Sequence, residues 1–345
     1  MNYIKDSIKK IIKSFIPSKT RSYIKSQFYK LIGDPTSIDF IKKKISKRDP
    51  LVPLVVYTEC TNYCNSKCIT CPRDEMTRKK GFMSLELYKK IIDECVEIGV
   101  PQIRLHNFGE VTLDKNLVEK IRIAKKSGIK CVTTYTNGQL LKTELSEKLI
   151  DAGIDVLYVS IDGVTKKSYE YIRKGLNYNT VEKNILDFDS IRKKVKNRKI
   201  KLYVTMVYLK ETEHEKEAFF NKWKKIADGT FVSPAHSWAE QKKIRTPQDI
   251  KGNQDNRIPC PLLWNSIYIL WDGKVVICCE DFDGKFILGD VTRETLKDIW
   301  YGEQFSNARE DHLNKRFENW KICDNCHVIR LNPTLWTLEG DERFV

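Results

Sequence analysis

The sequence lacks any long apolar segment. Its 345 residues contain no run near the ~18 consecutive apolar residues that a membrane-spanning helix needs, although 41% of the residues are hydrophobic. The first twenty residues, MNYIKDSIKKIIKSFIPSKT, never go more than a few positions without a lysine or polar residue, so they lack the apolar centre of a secretory signal. Internal repeats and low-complexity tracts are absent too. These absences predict a cytoplasmic protein.

Negative charge is scarce at the start of the chain. The whole sequence carries a net charge of +15, and residues 1–50 contribute +9 of it, from 13 basic and four acidic residues. Apolar residues recur there at helical spacing between lysines: Ile4, Ile8, Ile11, Ile12 and Phe15. The pattern predicts a cationic amphipathic helix that ends at Pro17. Residues 1–30 then either contact an anionic membrane surface peripherally, at its inner face, or pack on the main domain. No nucleic-acid partner is expected, because aromatic residues do not interleave with the charge in a recognisable module.

Cysteine is abundant, and its eleven residues fall in ligand spacings rather than in the pattern of a small disulfide-rich protein. Cys64, Cys68 and Cys71 stand in ECTNYCNSKCITCPRDE at the spacing C-x3-C-x2-C. Three thiolates are one short of the four that a structural zinc or a complete iron–sulfur cluster takes. A cluster held here would therefore keep one iron open to a small molecule. Cys60, four residues earlier, either completes a zinc knuckle or is a buried core residue.

Strand patterns alternate with helical patterns after residue 50. Strands are predicted over 51–59, 102–108, 130–136, 155–162, 199–208 and 230–234. Helices are predicted over 84–98, 113–127, 143–152, 165–195 with a break near Gly175, and 213–227. Such β/α units imply an α/β fold with a parallel sheet, helices outside it and functional residues at the strand C-termini. A polar linker begins near residue 235, followed by a β-hairpin around Asp272-Gly273 and a helix over 294–313.

The cysteine triad and the strand ends behind it resemble the radical SAM superfamily. In that family the open iron of a [4Fe–4S] cluster chelates S-adenosylmethionine, and an electron cleaves it to a 5′-deoxyadenosyl radical. The resemblance implies a partial (β/α)6 barrel, this cluster and cofactor, and an electron donor such as flavodoxin or ferredoxin. One departure is Thr70, since an aromatic residue is usual just before the last cysteine.

Short motifs at successive strand ends carry the resemblance to the cofactor site. Gly109-Glu110 resembles part of the family's Gly-Gly-Glu-Pro motif, which receives the methionine amino group. TTYTNG and VSIDG resemble the third- and fourth-strand endings, and YEYIRKG places an arginine near the cofactor carboxylate, a task suited to a guanidinium. The S-adenosylmethionine residues that the resemblance implies are Gly109, Glu110, Asn137, Ser160, Asp162 and Arg173.

The C-terminal cysteines form a second pattern. Cys260, Gly273 and Cys278 are spaced C-x12-G-x4-C, which resembles the opening of the SPASM and twitch auxiliary domains. Cys323 and Cys326 would complete a second [4Fe–4S] cluster, and zinc is the alternative. No cysteine follows Cys326, which favours the shorter twitch form. The expected domains are a basic helical leader over 1–49, a radical SAM core over 50–234, and a linker with the auxiliary domain over 235–345.

Among twitch enzymes the sequence most resembles the radical dehydrogenases that oxidise the aminocyclitol 2-deoxy-scyllo-inosamine. This implies an oxidoreductase that converts an alcohol of a small polyol, a sugar or an aminocyclitol, to a ketone, with the auxiliary cluster accepting an electron. Glu280 and Asp281 are candidates for the base or for binding hydroxyls, unless they form a solvated turn. Cys279, on the strand face opposite Cys278, either packs in the core or donates a hydrogen atom, which would make the protein a sugar epimerase. Peptide modification and a membrane-associated iron–sulfur electron-transfer protein remain alternatives.

Overall fold

A computed structural model describes residues 38–47, 51–197, 199–244, 257–324 and 326. The amphipathic helix predicted for the first seventeen residues lies outside this part of the chain, as does the middle of the predicted linker. Within the described residues, no helix is long and apolar enough to cross a membrane.

Eleven β-strands are present in the described residues. They are β1 Val55–Thr58, β2 Lys67–Cys68, β3 Gln102–Leu105, β4 Cys131–Thr136, β5 Val156–Ser160, β6 Arg173–Lys174, β7 Lys201–Tyr208, β8 Gly229–Pro234, β9 Ser266–Ile269, β10 Lys274–Val276 and β11 Ile287–Asp290. Nine of them form one sheet in the order β11-β10-β9-β1-β3-β4-β5-β7-β8. From β1 to β8 the neighbours are parallel and follow chain order. The predicted α/β fold is confirmed, and the sheet is open in this part of the chain because β11 and β8 stand at opposite ends of it.

The helices alternate with these strands. They are α1 Ile38–Ser46, α2 Leu85–Ile98, α3 Leu117–Lys126, α4 Thr143–Ala152, α5 Lys166–Ile172, α6 Tyr178–Lys193, α7 Lys216–Trp223, α8 Leu262–Asn265, α9 Leu296–Tyr301, α10 Glu303–Leu313 and α11 Lys321–Asp324. Helix α2 shows why the boundaries were predictable. The side chain of Ser84 caps its first turn, and Gly99 ends it in the left-handed conformation that glycine adopts without strain.

The two faces of the sheet differ in chemistry. Val56, Ile103 and Leu157 belong to the main core with apolar residues of the helices. On the other face, the rings of Tyr135 and Tyr158 stack at 4.1 Å, one of several aromatic pairs between neighbouring strands. Arg104 lies among these rings. Its guanidinium donates hydrogen bonds of 3.2 and 3.0 Å to the Tyr57 and Tyr135 hydroxyls.

The predicted hairpin is present, and it extends the core sheet. Strands β9 and β10 are antiparallel, and Gly273 turns the chain between them with a φ of 94°. Strand β9 also pairs in parallel with β1, with Val56 opposite Ile267. The C-terminal segment is therefore hydrogen-bonded to the strand that leads into the first cysteine loop.

One local expectation needs correction, and another is confirmed with added detail. The helix predicted over 294–313 is two helices, α9 and α10, because Gly302 has an extended backbone (φ −70°, ψ 171°) that ends the first and caps the second. The break near Gly175 contains the short strand β6. This strand pairs antiparallel with β2, which puts Arg173 opposite Cys68.

Candidate functional site

The first cysteine loop follows β1 and holds its three thiols close together. The Cys71 amide donates a 3.1 Å hydrogen bond to the Cys68 carbonyl. Burial raises the pKa of the Cys71 thiol to about 12, and the neighbouring Cys68 and Cys64 thiols act in the same direction. Cysteines bind metal as thiolates, and neighbouring thiolates repel each other. The positive charge of bound iron offsets this repulsion and stabilises the deprotonated form. The donor set thus fits a cluster held by three cysteines.

Cys60 stands apart from this group. It is 2% exposed and belongs to the main hydrophobic core. Burial raises the pKa of its thiol to about 12, and the charged groups that perturb it are Lys120, Asp114 and Glu59. No group of His, Cys, Asp or Glu side chains among the described residues could hold a single metal ion. The zinc-knuckle alternative therefore has no support in this part of the chain.

Gly109 and Glu110 lie directly against the cysteine loop. Gly109 has a φ of 78°, and a Cβ atom there would collide with the Thr61 carbonyl, so the close approach requires glycine. The Glu110 amide donates to the Tyr63 carbonyl at 2.7 Å. Its buried carboxylate accepts from the Thr136 hydroxyl at 2.6 Å and from the Asn137 amide at 2.7 Å. Glu110 thus connects the end of β3 to the end of β4 and to the cysteine loop.

The remaining S-adenosylmethionine candidates surround the same loop. Asn137 Nδ2 donates to Asn65 Oδ1 at 2.7 Å. Asp162 is fully buried, and its carboxylate accepts from Arg173 Nε at 2.8 Å and from the Val207 amide at 2.8 Å. Burial opposes the charge of Arg173, but Asp162 and the Cys68 thiol outweigh it and raise the arginine pKa.

Ser160 lies at the end of β5, where its hydroxyl accepts from Thr205 Oγ1 at 3.1 Å. The structure thus brings Gly109, Glu110, Asn137, Asp162 and Arg173 to the cysteine loop, and places Ser160 at the neighbouring strand end. This arrangement offers carboxylates for an ammonium group and a guanidinium for a carboxylate.

The four C-terminal cysteines meet around one cavity. Its walls include Cys260, Cys278, Cys323 and Cys326. The amide of Cys326 donates to the Cys323 carbonyl at 3.2 Å. Four cysteines around one cavity fit a complete iron–sulfur cluster.

Cys279 and Glu280 line the same cavity. The expectation that Cys278 and Cys279 lie on opposite faces of a strand is wrong, because β10 ends at Val276 and both cysteines fall in the bend behind it. Burial raises the pKa of the Cys279 thiol, and a hydrogen bond with Tyr268 opposes this shift. Cys279 therefore lies beside the auxiliary cysteines.

Glu280 and Asp281 are both buried, so the solvated-turn interpretation is wrong. The two carboxylate oxygens of Asp281 accept hydrogen bonds from the Lys285 and Phe286 amides at 2.9 and 2.8 Å. This side chain therefore stabilises the loop between residues 281 and 286. Glu280 Oε2, in contrast, has no hydrogen-bond partner among the described residues and lies 3.3 Å from His236 Nδ1.

His236 and Trp238 were missed from the sequence. Burial would lower the pKa of His236, but the Glu280 carboxylate raises it above its ordinary value. The Trp238 ring lies 5.9 Å from Phe108, which in turn lies 6.4 Å from Phe282 in the second cysteine loop. The only sequence feature that could have indicated these two residues was weak, namely a histidine and a tryptophan within an otherwise polar segment.

Two further strand-end residues face the inner side of the sheet. His106 stacks on Tyr135 at 4.3 Å, and burial together with Arg104 lowers its pKa to about 3. Neither side-chain polar atom of Asn107 has a hydrogen-bond partner in the described part of the chain. Both follow the end of β3 and are candidates for lining a substrate pocket.

The fold and the two cysteine sites define an iron–sulfur protein built on a parallel α/β sheet. The family model "Radical SAM superfamily" matches residues 58–222, and the model "Iron-sulfur cluster-binding domain" (SPASM) matches residues 260–327. The chain therefore contains a radical SAM domain followed by a SPASM domain. Its radical SAM domain implies a [4Fe–4S] cluster and S-adenosylmethionine, and the SPASM domain implies further cluster binding.

Curated relatives differ in how much of their length the chain matches. A probable GTP 3′,8-cyclase of Methanococcus maripaludis is 36% identical over 126 residues, 36% of this chain and 42% of that protein. The S-adenosyl-L-methionine-dependent 2-deoxy-scyllo-inosamine dehydrogenase of Niallia circulans is 24% identical over 288 residues, 80% of this chain and 93% of that one. The chain thus matches about two fifths of the cyclase and nearly all of the dehydrogenase.

Solved structures share the fold. BtrN in complex with AdoMet and 2-DOIA superimposes with a TM-score of 0.55 at 19% identity, over 80% of this chain and 93% of that chain. Streptococcus suis SuiB bound to the precursor peptide SuiA gives a TM-score of 0.65 at 15% identity, over 87% of this chain and 77% of that chain. Identities this low establish the architecture alone.

Proposed function

We propose that this protein is a radical SAM oxidoreductase that oxidises a secondary alcohol of a small polyol, of the sugar or aminocyclitol class, to a ketone. The observation that carries the proposal is the position of Glu280. Its Oε2 is buried, has no hydrogen-bond partner within the described residues, and contacts His236 Nδ1 at 3.3 Å, while the residue lines the cavity that the auxiliary cysteines share. The similarity to the inosamine dehydrogenase along nearly its whole length supports the substrate class.

In this proposal, Cys64, Cys68 and Cys71 hold one cluster and Cys260, Cys278, Cys323 and Cys326 hold the other. Glu110 and Asp162 with Arg173 receive the charged ends of S-adenosylmethionine, while Asn137 and Ser160 border it. When bound, these groups supply a hydrogen-abstracting radical and an acceptor for one electron. The first electron would come from a flavodoxin or ferredoxin.

Oxidation of an alcohol removes a hydrogen atom from carbon, a proton from oxygen and one further electron. Glu280 is the proposed acceptor of the hydroxyl proton at Oε2. His236 Nδ1 lies 3.3 Å from that atom, and it accepts a 3.3 Å hydrogen bond from the Trp238 amide. Asp281 is the weaker candidate for this task, because each of its oxygens already accepts a hydrogen bond from a backbone amide.

The decisive experiment compares Glu280→Gln with the wild-type protein and with Glu213→Gln, which changes a surface residue paired with Lys216. Each reconstituted protein is incubated without oxygen with S-adenosylmethionine, dithionite and 2-deoxy-scyllo-inosamine or related cyclitols. Loss of a general base costs about 10²–10⁴-fold in rate. We therefore expect Glu280→Gln to form 5′-deoxyadenosine but almost no ketone, and Glu213→Gln to behave as wild type. Undiminished ketone formation by Glu280→Gln would refute its role as the base, and no ketone from any polyol with the wild type would refute the substrate class.

Radical epimerisation is the second candidate. It is favoured by Cys279, whose thiol lines the cavity beside Glu280 and hydrogen-bonds with Tyr268. A thiol in that place can return a hydrogen atom to a substrate carbon. The two candidate reactions differ in whether a hydrogen atom is returned to the substrate carbon.

A further inference from the structure

His312 occupies the last turn of α10 and is 1% exposed. Its ring packs edge-on against Phe317, with the centroids 5.0 Å apart. Its side chain also lines the cavity that contains the thiols of Cys260, Cys278, Cys323 and Cys326. No sequence motif marks this residue, because it lies in a helix between two of the cysteine segments.

The protonation of the imidazole follows from its contacts. The Cys260 amide donates a 3.1 Å hydrogen bond to His312 Nδ1. Nδ1 must therefore be without hydrogen, and the neutral ring carries its single proton on Nε2. Nε2 is buried and has no hydrogen-bond partner among the described residues. A buried donor left without an acceptor is unfavourable, so this N–H requires an acceptor that the described part of the chain does not supply.

Sulfur atoms of an iron–sulfur cluster are such acceptors. A hydrogen bond to a cluster sulfur stabilises the reduced, more negative state and raises the reduction potential. Arg257 lines the same cavity and adds positive charge, although Asp324 at 3.6 Å partly balances it. His312, as a neutral donor, has no such counterion.

Building on the proposed function, we propose that His312 donates its Nε2–H to a sulfur of the auxiliary cluster and raises the reduction potential of that cluster. His312 is then a positioning residue that makes the cluster a better acceptor for the electron released when the alcohol is oxidised. Through Nδ1, His312 also accepts the hydrogen bond from the Cys260 amide. One imidazole ring therefore holds the loop of a cluster ligand and sets the reduction potential of the cluster.

The test uses a protein in which only the auxiliary cluster can form. Cys64→Ala, Cys68→Ala and Cys71→Ala are combined, the protein is reconstituted without oxygen, and the potential is measured by redox titration followed by EPR. Into this background go His312→Asn and His312→Gln. The asparagine oxygen can still accept from the Cys260 amide but leaves no N–H near the Nε2 position, whereas the glutamine amide reaches that position.

We expect His312→Asn to lower the reduction potential of the auxiliary cluster. At the midpoint potential of the background protein, the ratio of oxidised to reduced cluster should rise roughly tenfold, which corresponds to about 59 mV for a one-electron couple. His312→Gln should recover most of the shift. His312→Phe, which keeps a ring but loses both nitrogens, should lower the potential at least as much as His312→Asn.

The failures are distinguishable. An unchanged potential in His312→Asn at full iron content overturns the hydrogen bond while leaving the proposed function standing. Loss of iron from both His312→Asn and His312→Gln, with native circular dichroism, makes His312 a ligand and also overturns the inference. A background protein that binds no iron at all refutes the cluster assignment on which the proposed function rests.

Discussion

The indole Nε1 of Trp238 donates a 2.8 Å hydrogen bond to the backbone carbonyl of Thr70, which stands 168 residues earlier in the chain. Thr70 directly precedes Cys71 in the first cysteine loop. The Trp238 carbonyl accepts from Gln241 Nε2, which also donates to the Glu280 carbonyl at 3.2 Å. One short segment after β8 therefore contacts both cysteine loops. Its backbone is unusual, because Trp238, Ala239 and Glu240 all have positive φ values between 53° and 64°.

Trp238→Phe should keep the ring contacts with Phe108 and lose the hydrogen bond to Thr70. A buried hydrogen bond contributes about 1 kcal/mol to stability, so we expect a modest loss in the free energy of unfolding and a clear loss in the rate of 5′-deoxyadenosine formation. Trp300→Phe is the matched control, because it loses an indole hydrogen bond to the Leu51 carbonyl away from the cysteine loops. Equal cleavage rates in both variants would show that the Trp238 contact serves stability alone.

The reconstituted protein should bind about eight irons if each cysteine group holds a four-iron cluster. Combining Cys64→Ala, Cys68→Ala and Cys71→Ala should leave about four irons and abolish cleavage of S-adenosylmethionine. Cys60→Ala is the control, and it should retain all the iron because this thiol is buried in the core. Iron and sulfide analysis decides the matter, and a loss of iron from Cys60→Ala would contradict the assignment of ligands.

The ion pair between Glu59 and Arg78 predicts that the free energy of unfolding becomes dependent on pH when the arginine is removed. Arg78 Nη1 donates to Glu59 Oε2 at 2.7 Å, and Arg78 Nε donates to the Phe282 carbonyl of the second cysteine loop at 2.7 Å. Burial raises the pKa of Glu59 above 4.5, although the arginine opposes this. Arg78→Met removes that opposition and leaves an uncompensated buried carboxylate, which costs about 3–5 kcal/mol.

The sign of the pH effect follows from linkage. A carboxyl whose pKa is higher in the folded state binds more protons there, so stability is fully present below the unfolded pKa and is lost as pH rises through the folded pKa. Arg78→Met should therefore lose stability as pH rises above about 4.5, the ordinary value for this carboxyl. Denaturant unfolding across that range measures the effect. The double variant Glu59→Gln/Arg78→Met should be nearly independent of pH there, and an equal slope in both proteins would contradict the explanation.

Cys279→Ala separates the two candidate reactions. Oxidation needs no hydrogen returned to carbon, so the variant should keep substantial ketone formation, whereas Cys323→Ala should stall it by damaging the auxiliary cluster. Mass spectrometry of the product formed in D2O distinguishes the two reactions independently, because it measures the product mass relative to that of the substrate. A product two mass units lighter than the substrate supports oxidation. An isomer with one deuterium at the inverted carbon, lost in Cys279→Ala, would establish epimerisation.

Much of the fold was predictable because its signals are local. Each predicted strand from 51–59 to 230–234 overlaps an observed strand, and caps such as Ser84 and Gly99 stand where the helical period begins and ends. The failures occurred where the local pattern was ambiguous. Gly302 divides a segment with helical periodicity, and the bend after Val276 ends the alternation that would have separated Cys278 from Cys279.

The sequence by itself determined the two cysteine groups and the α/β architecture, because ligand spacing and hydrophobic period are properties of short segments. Only the tertiary structure decided what surrounds them. Pairing of β6 with β2 brings Arg173 opposite Cys68, and the bond from the Cys260 amide to His312 fixes the hydrogen on an imidazole 52 residues away. Such contacts depend on how whole helices and strands pack together. A short stretch of sequence therefore cannot predict which distant side chain will contact it.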